Sequence, residues 1–329
     1  MVSLNGSRSA ADGTAVPMTP EDLVESALAA VAAGAGEVLV HPRTPCGRES
    51  LSPRVVGPLL EALRDAGLGA ASGPGAHAET ASGLGAYTEA GAGPGAHAGA
   101  GADARAGAGA KARAGAGAEA RSASTARAGS GAGGETDTGA GAGARARAGV
   151  GAGAAGGSGL GVSVGVLAGV GAESGVAERL ARVRSWVVLP DRAVVRFAEP
   201  GARELAELLL ERGVGVDAEV PVGGAPGPLG RFLAWPVRSH PLVRLVLELP
   251  SADPGSIAGM RWLPPVPVLL FGREEAAWPV LRLAALRGTG ARIGVGDVLR
   301  LPDGRAARSN AELVAAATRA RREATAASR

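Results

Sequence analysis

Short apolar runs alternate with amphipathic helical patterns along most of the chain, which is the pattern of βαβ units with parallel strands. The apolar runs predict eight strands. They cover residues 2–4, 38–41, 162–167, 193–197, 214–218, 242–249, 266–270 and 292–295. Because a series of eight such units closes best on itself, we expect an α/β fold of the (β/α)8 type, a TIM barrel.

Helical patterns follow most of these strands. Thr19 and Pro20 predict the start of the first helix, and Pro53 predicts the start of the second, with Pro58 inside it. Further helices are predicted at 177–186, 202–212, 274–286 and 310–320, and only short stretches near 229–234 and 257–260. The fifth and sixth connections are therefore expected to be reduced.

One region breaks the pattern between the second helix and the third strand. Residues 69–160 consist almost entirely of Gly and Ala with scattered polar residues, and they account for half of the 54 glycines of the chain. Such a composition offers no large apolar side chains for a core, so we expect a disordered insertion. The predicted organisation is a barrel built from 1–68 and 161–329, with the insertion opposite the barrel mouth.

The net charge and the cysteine content exclude some kinds of partner and cross-link. The formal net charge of +3 comes from arginines spread over the chain, which favours a solvated surface over a nucleic-acid partner. Cys46 is the single cysteine, so an intrachain disulfide is excluded. The first residues lack an apolar signal core, and no run of about 18 apolar residues follows. We therefore expect a cytoplasmic protein without a membrane partner.

The loop after the second strand carries the most specific motif. An apolar strand ends in His41-Pro-Arg43, followed by Gly-Arg-Glu-Ser-Leu and a Ser-Pro helix start. Similar matches lie in the same order elsewhere, at 4–6, 19–21, 184–191, 197–202, 209–217, 277–281, 289–297, 301–305 and 309–313. On these residues the chain resembles the beta-keto acid cleavage enzyme family, which includes 3-keto-5-aminohexanoate cleavage protein. The resemblance implies a zinc-dependent barrel that exchanges an acyl group between a β-keto acid and acetyl-CoA, giving acetoacetate and a new CoA ester.

The zinc ligands implied by the resemblance are mostly missing. The family has His-x-His at the end of strand two and a glutamate after strand eight, and these positions are Leu39, His41 and Gly296 here. A single histidine holds zinc poorly, because affinity comes from several ligands in fixed geometry. Cys46 or Glu248 could act as substitute ligands. Without them we expect no stoichiometric zinc.

At other positions the chain either has the residue typical of the family or a different one. The resemblance implies that Asp297 is a general base and that Arg292 orients the substrate, and a structural ion pair is the alternative. It also places Asn5, Asp217 and Gly169 at substrate-binding positions. Apolar residues replace polar family residues at Leu167, Ala168 and Phe271.

Two functions follow. The first is the acyl exchange itself, with a small β-keto acid and acetyl-CoA as substrates. The second is a catalytically inactive barrel that binds a small acid or a protein partner. We favour the second from the residues, because the Lewis acid is the hardest part of the site to replace. The sequence leaves open whether the protein is a monomer or a homo-oligomer.

Overall fold

The computed structural model describes residues 1–69, 162–169, 171–173, 175–223, 227–252 and 265–328. All of these residues lie in one compact unit. The predicted insertion, apart from Gly69, lies outside the described residues, and so does the helical stretch predicted at 257–260.

Eight parallel strands form one sheet in sequence order, which confirms an α/β fold of the TIM type. The strands are β1 Val2–Ser3, β2 Glu37–Val40, β3 Ser163–Leu167, β4 Arg192–Arg196, β5 Gly215–Pro221, β6 Val243–Glu248, β7 Val268–Phe271 and β8 Gly290–Ala291. A parallel bridge between Val2 and Ile293 brings the segment after β8 against β1. The sheet therefore curls so that its first and last strands meet.

Helices occupy the connections between strands. They are α1 Pro20–Ala32, α2 Pro53–Asp65, α3 Val176–Arg184, α4 Ala202–Glu211, α5 Gly227–Leu233, α6 Ala277–Arg287 and α7 Asn310–Ala327. Short 3-10 turns cover Ala10–Asp12, Pro236–Ser239 and Glu274–Ala276. The reduced helix predicted after strand five is confirmed as α5, whereas α7 runs seven residues past the predicted end, through a sequence rich in helix formers.

The start of α1 shows why the sequence signal was reliable there. The Thr19 side chain accepts a hydrogen bond from the Asp22 amide at 3.1 Å, and the Asp22 side chain accepts one from the Thr19 amide at 3.2 Å. This reciprocal capping box satisfies two amides that the helix leaves unpaired, and Pro20 has no amide hydrogen to satisfy. The cap fixes the helix start at Pro20.

The prediction for strand eight was wrong. The strand ends at Ala291, before the predicted range of 292–295 begins. The Arg292 amide still donates to Leu270 of β7, but the Ile293 amide donates to Met1 of the β1 side at 3.2 Å. The chain then crosses tightly over Ser3 at Gly294, where a Cβ atom would lie 2.8 Å from the Ser3 amide nitrogen. Hydrogen bonding therefore switches from β7 to β1 within two residues.

Strand residues alternate between two environments, as expected for a barrel with helices outside it. Val38, Val164, Val195 and Val216 pack in the large core between sheet and helices. The intervening positions face the barrel interior. Within the described ranges, no helix combines the length and apolar character needed to cross a membrane.

The described residues on either side of 70–161 lie next to each other. The Gly69 amide, which follows α2, donates a 2.7 Å hydrogen bond to the Val162 carbonyl, which precedes β3. Both residues lie at the amino-terminal end of β3, away from the carboxyl ends of the strands. The described residues before and after 70–161 are thus adjacent to each other.

Candidate functional site

Three layers of side chains fill the barrel interior, and the strand period of two defines them. Along β4 the layers are Arg192, Val194 and Arg196, and along β6 they are Arg244, Val246 and Glu248. The middle layer is apolar, and Met1 packs against both of its clusters. The layer consists of Leu39, Leu167, Val194, Val246 and Leu269, and Phe271, which pairs with Glu248 one layer higher, packs on it from the mouth side. Charged residues therefore lie above and below an apolar layer.

Asp217 belongs to the lower charged layer. It is fully buried, and it accepts two hydrogen bonds from Arg244, at 2.7 and 3.0 Å, and one from Arg192 at 2.7 Å. Arg244 also binds Glu37 at the start of β2, at 2.7 Å. Burial raises the pKa of Asp217, but Arg244 and Arg192 outweigh it and hold the pKa below its ordinary value. Both carboxylate oxygens of this predicted substrate-binding residue are thus bonded to arginine at the floor of the barrel.

Arg292 is the centre of the upper charged layer, at the mouth formed by the carboxyl ends of the strands. Its Nε and one terminal nitrogen bind Asp297 at 3.2 and 3.0 Å, and the other terminal nitrogen binds Glu219 at 2.8 Å. All three residues are buried. Bidentate arginine–carboxylate pairing of this kind fixes both groups in orientation. The structure therefore brings the two predicted catalytic residues together.

Glu219 connects this pair to a second arginine. Its other carboxylate oxygen accepts a 3.1 Å hydrogen bond from Arg196, whose side chain is 24% exposed. Burial raises the pKa of Glu219, but Arg292 and Arg196 outweigh it, with a further contribution from Arg273, and hold the pKa at about 2. Burial lowers the pKa of Arg292, but Asp297 and Glu219 outweigh it and raise the pKa above its ordinary value. Glu219 and Arg292 are therefore both charged at neutral pH.

Phe271 closes one side of the mouth. The guanidinium carbon of Arg292 lies 3.3 Å from the centroid of its ring, and that of Arg273 lies 5.5 Å away. Arg273 is 35% exposed and binds Glu248 through Nε at 2.7 Å. A cation over an aromatic face is stabilised by the ring quadrupole. Phe271 thus supports the upper arginines without offering a polar group to a ligand.

His41 and Asn5 fix the end of β2. The Asn5 amide group donates to the His41 carbonyl at 2.9 Å and accepts from the His41 backbone amide at 3.0 Å. The imidazole Nδ1 lies 3.4 Å from a carboxylate oxygen of Glu49. Burial lowers the pKa of His41. Asn5, a predicted substrate contact, is fully buried, and its side-chain amide is occupied by the backbone of His41.

The other two family metal positions do not fit zinc. Leu39 is buried in the apolar layer with Leu167 and Val194. A Cβ atom at Gly296 would lie 2.8 and 2.9 Å from the Gly6 nitrogen and Cα atoms, and it would also clash with the Ser3 hydroxyl. No side chain has room at position 296 unless the backbone moves. Position 39 offers no donor atom, and position 296 has no space for one.

The proposed substitute ligands, Cys46 and Glu248, have other surroundings than a metal site. Cys46 is exposed, and its thiol lies 3.0 Å from the Thr44 hydroxyl. Glu248 is held by Arg273. Among the described residues, no group of three or more His, Cys, Asp or Glu side chains is arranged to hold a metal ion. The side chains present in this part of the chain therefore do not form the three-ligand site that the resemblance implies.

The loop after β3 borders the same mouth. A Cβ atom at Gly169 would lie 3.4 Å from a Glu199 carboxylate oxygen and 3.6 Å from a terminal nitrogen of Arg196. Leu167 and Ala168 are buried and apolar. Gly169, a predicted substrate contact, thus lies beside the Arg196 side chain, where a ligand could approach its backbone.

Glu219 and Arg196 were not predicted as site residues. Each could have been found from the sequence, because Val-Asp-Ala-Glu-Val and Arg-Ala-Val-Val-Arg place charged residues at even spacing within apolar strands. Residues at i, i+2 and i+4 of a strand share a face, so these charges must enter the barrel together. The resemblance drew attention to Asp217, which lies in the lower layer, and away from Glu219 two residues later.

Comparison with known families supports the resemblance. A family model described as beta-keto acid cleavage enzyme matches residues 1–84 and 184–327, which is more than half of the chain. The second range contains β4 to β8 and with them Arg292, Asp297 and Glu219. A comparison with curated proteins gave no match.

Proposed function

Since the chain belongs to the beta-keto acid cleavage enzyme family, we propose that its mouth binds a small β-keto acid without carrying out zinc-dependent acyl exchange. The observation that carries this proposal is the contact between the Gly6 and Gly296 backbones, which leaves no room for a ligand side chain at position 296. Together with Leu39, it removes two of the three metal-binding positions that the resemblance implies. Binding of the acid needs neither position.

Two partly exposed arginines at the mouth support binding of a carboxylate. Arg196 is anchored by Nε to Glu219 and has one terminal nitrogen 3.7 Å from the Glu199 carboxylate, and Arg273 is anchored by Nε to Glu248. Arg273 forms no other hydrogen bond among the described residues. Guanidinium groups fixed at one nitrogen keep terminal N–H groups that match a carboxylate. Arg196 binds Glu219 directly, and Arg273 lies over the ring of Phe271 together with Arg292, the other partner of Glu219.

Binding can be measured by calorimetry with the full chain and the β-keto acid acetoacetate. We expect saturable binding that weakens about tenfold in Arg196→Gln and in Arg273→Gln, because each loses a charge-assisted hydrogen bond. Arg319→Gln on the exposed face of α7 is the matched control and should bind as the unchanged protein does. Absence of binding, or equal losses in the control, would contradict the proposal.

Acyl exchange is the second candidate, and the buried Arg292–Asp297 pair favours it. In this reaction a β-keto acid and acetyl-CoA give acetoacetate and a new CoA ester, with Asp297 accepting the substrate proton and Arg292 holding the carboxylate of Asp297 in place. The two functions separate in one assay. The protein can be incubated with both substrates and zinc. If a CoA ester forms and Asp297→Asn abolishes its formation, the function is acyl exchange and not binding alone.

A further inference from the structure

A cavity of about 450 Å³ lies at the opposite end of the barrel from the mouth. Gly36, directly before β2, and Ala291 of β8 line it from the sheet side. Residues of α6 and α7 line it from the helix side. Its volume falls in the range of about 300–1,000 Å³ that is usual for small-molecule sites.

The lining has an apolar part and a cationic part. Leu281, Ile293 and Val314 supply the apolar part, and Arg321 and Arg322 supply the cationic part from one turn of α7. The Thr318 hydroxyl also faces the cavity, but it already donates to the Val314 carbonyl at 2.9 Å. The two arginines are therefore the side-chain donors available to a ligand.

Neither arginine is neutralised by the surrounding chain. Within the described ranges, Arg321 and Arg322 form no ion pair with a carboxylate, and Arg321 makes one long hydrogen bond, 3.4 Å, to the Thr289 carbonyl. Two adjacent guanidinium groups beside an apolar wall repel each other and attract an anion. Arginine forks suit carboxylate and phosphate oxygens in particular.

We propose that this cavity binds an amphiphilic oxyanion, a small molecule with a hydrocarbon chain and a carboxylate or phosphate head. The hydrocarbon chain packs on Leu281, Ile293 and Val314, and the head binds Arg321 and Arg322. The site is independent of the mouth, because the apolar interior layer around Leu39 and Val194 lies between them.

The test uses the full chain and four probes in calorimetric titrations: hexanoate, hexyl phosphate, 1-hexanol and acetate. We expect hexanoate or hexyl phosphate to bind saturably, and the preference between them identifies the head group. Acetate lacks the chain and hexanol lacks the charge, so each should bind more weakly. In the double variant Arg321→Gln with Arg322→Gln, affinity for the charged probe should fall about tenfold or more.

Two control variants distinguish binding in this cavity from binding at the mouth or on the exposed surface of α7. Arg319→Gln removes an exposed arginine of the same helix that does not line the cavity, and Arg196→Gln alters the mouth; both should retain binding. Circular dichroism of each variant confirms folding. The proposal is overturned if neither charged probe binds, if Arg319→Gln loses as much affinity as the double variant, or if only Arg196→Gln loses it.

Discussion

Gly6 and Gly296 touch each other through their backbones. A Cβ atom at Gly6 would lie 2.6 Å from the Gly296 Cα atom, and one at Gly296 would lie 2.9 Å from the Gly6 Cα atom. Gly6 also has a φ of +56°, in the left-handed region that favours glycine. The contact holds the loop after β1 against the turn that carries Asp297. A glutamate at position 296 is thus incompatible with this arrangement of the loops.

Gly296→Ala should destabilise the protein by about 3 kcal/mol or more, because the new methyl group overlaps backbone atoms that cannot rotate away. Urea unfolding measures the change. The matched control is Gly36→Ala, where a Cβ atom meets nothing within 4 Å, and where we expect a change within about 1 kcal/mol. Equal stability of the two variants would show that the loops around Gly6 move freely.

The same contact predicts the outcome of rebuilding the metal site. Leu39→His with Gly296→Glu supplies the missing ligand types, yet we expect a destabilised chain that does not take up one equivalent of zinc, because Gly6 and Ser3 occupy the space needed by the glutamate. Elemental analysis after dialysis measures zinc per chain. Tight stoichiometric zinc in this variant would contradict the steric argument.

Stability should fall in acid as Glu219 becomes protonated. Its pKa is held at about 2 in the folded protein against an ordinary 4.5, so its contribution is complete above pH 4.5 and is lost as the pH falls toward 2. The shift corresponds to about 3 kcal/mol. Urea unfolding between pH 7 and pH 2.5 should show a smaller pH dependence in Glu219→Gln than in the unchanged protein, by roughly that amount. The exposed Glu61→Gln should leave the dependence unchanged.

Cys46 should react faster with alkylating reagents than an ordinary thiol at neutral pH. Hydrogen bonds from Thr44 and Arg48 lower the pKa of this exposed thiol to about 7, so a large share is thiolate at pH 7. The pH profile of iodoacetamide reaction should have its midpoint near 7 and move upward in Thr44→Val. A midpoint near 9 in the unchanged protein would refute the assignment.

Residues 70–161 should be removable without loss of the barrel. Gly69 and Val162 are hydrogen-bonded, so a linker of about six residues can join them. Replacing these 92 residues by six shortens the connection by about four halvings, each lowering the closure cost of a flexible connection by about 0.6 kcal/mol, or about 2 kcal/mol in total. We expect the shortened chain to unfold at equal or higher urea concentration. Failure to fold would show that the segment makes contacts needed by the barrel.

The order and type of the strands could be predicted from the sequence because each apolar run is bounded by a turn signal or a helix cap, as at Thr19 and Asp22. Strand eight could not be predicted correctly, because the segment from Arg292 to Val295 has the composition of a strand. Its backbone instead follows β1, owing to the close crossing of Gly294 over Ser3. That crossing brings together residues almost three hundred positions apart, and no local sequence pattern indicates it.

The candidate site shows the same limit. The pairing of Arg292 with Asp297 is local and was expected as one of two alternatives. The third member, Glu219, comes from another strand, and its depth in the barrel depends on register and tilt. A family resemblance identifies individual positions in the sequence. The layer in which a side chain lies depends on how the whole sheet curls.

The layered interior has a consequence for how such a chain can change over generations. Asp217, Arg192 and Arg244 saturate one another beneath the apolar layer, so the lower half of the barrel keeps its full set of partners whatever happens above. Substitutions at the mouth are then felt locally and are not transmitted to the floor. The hydrogen bonds that hold the floor of the barrel are therefore separate from the residues at the mouth that would carry its chemistry.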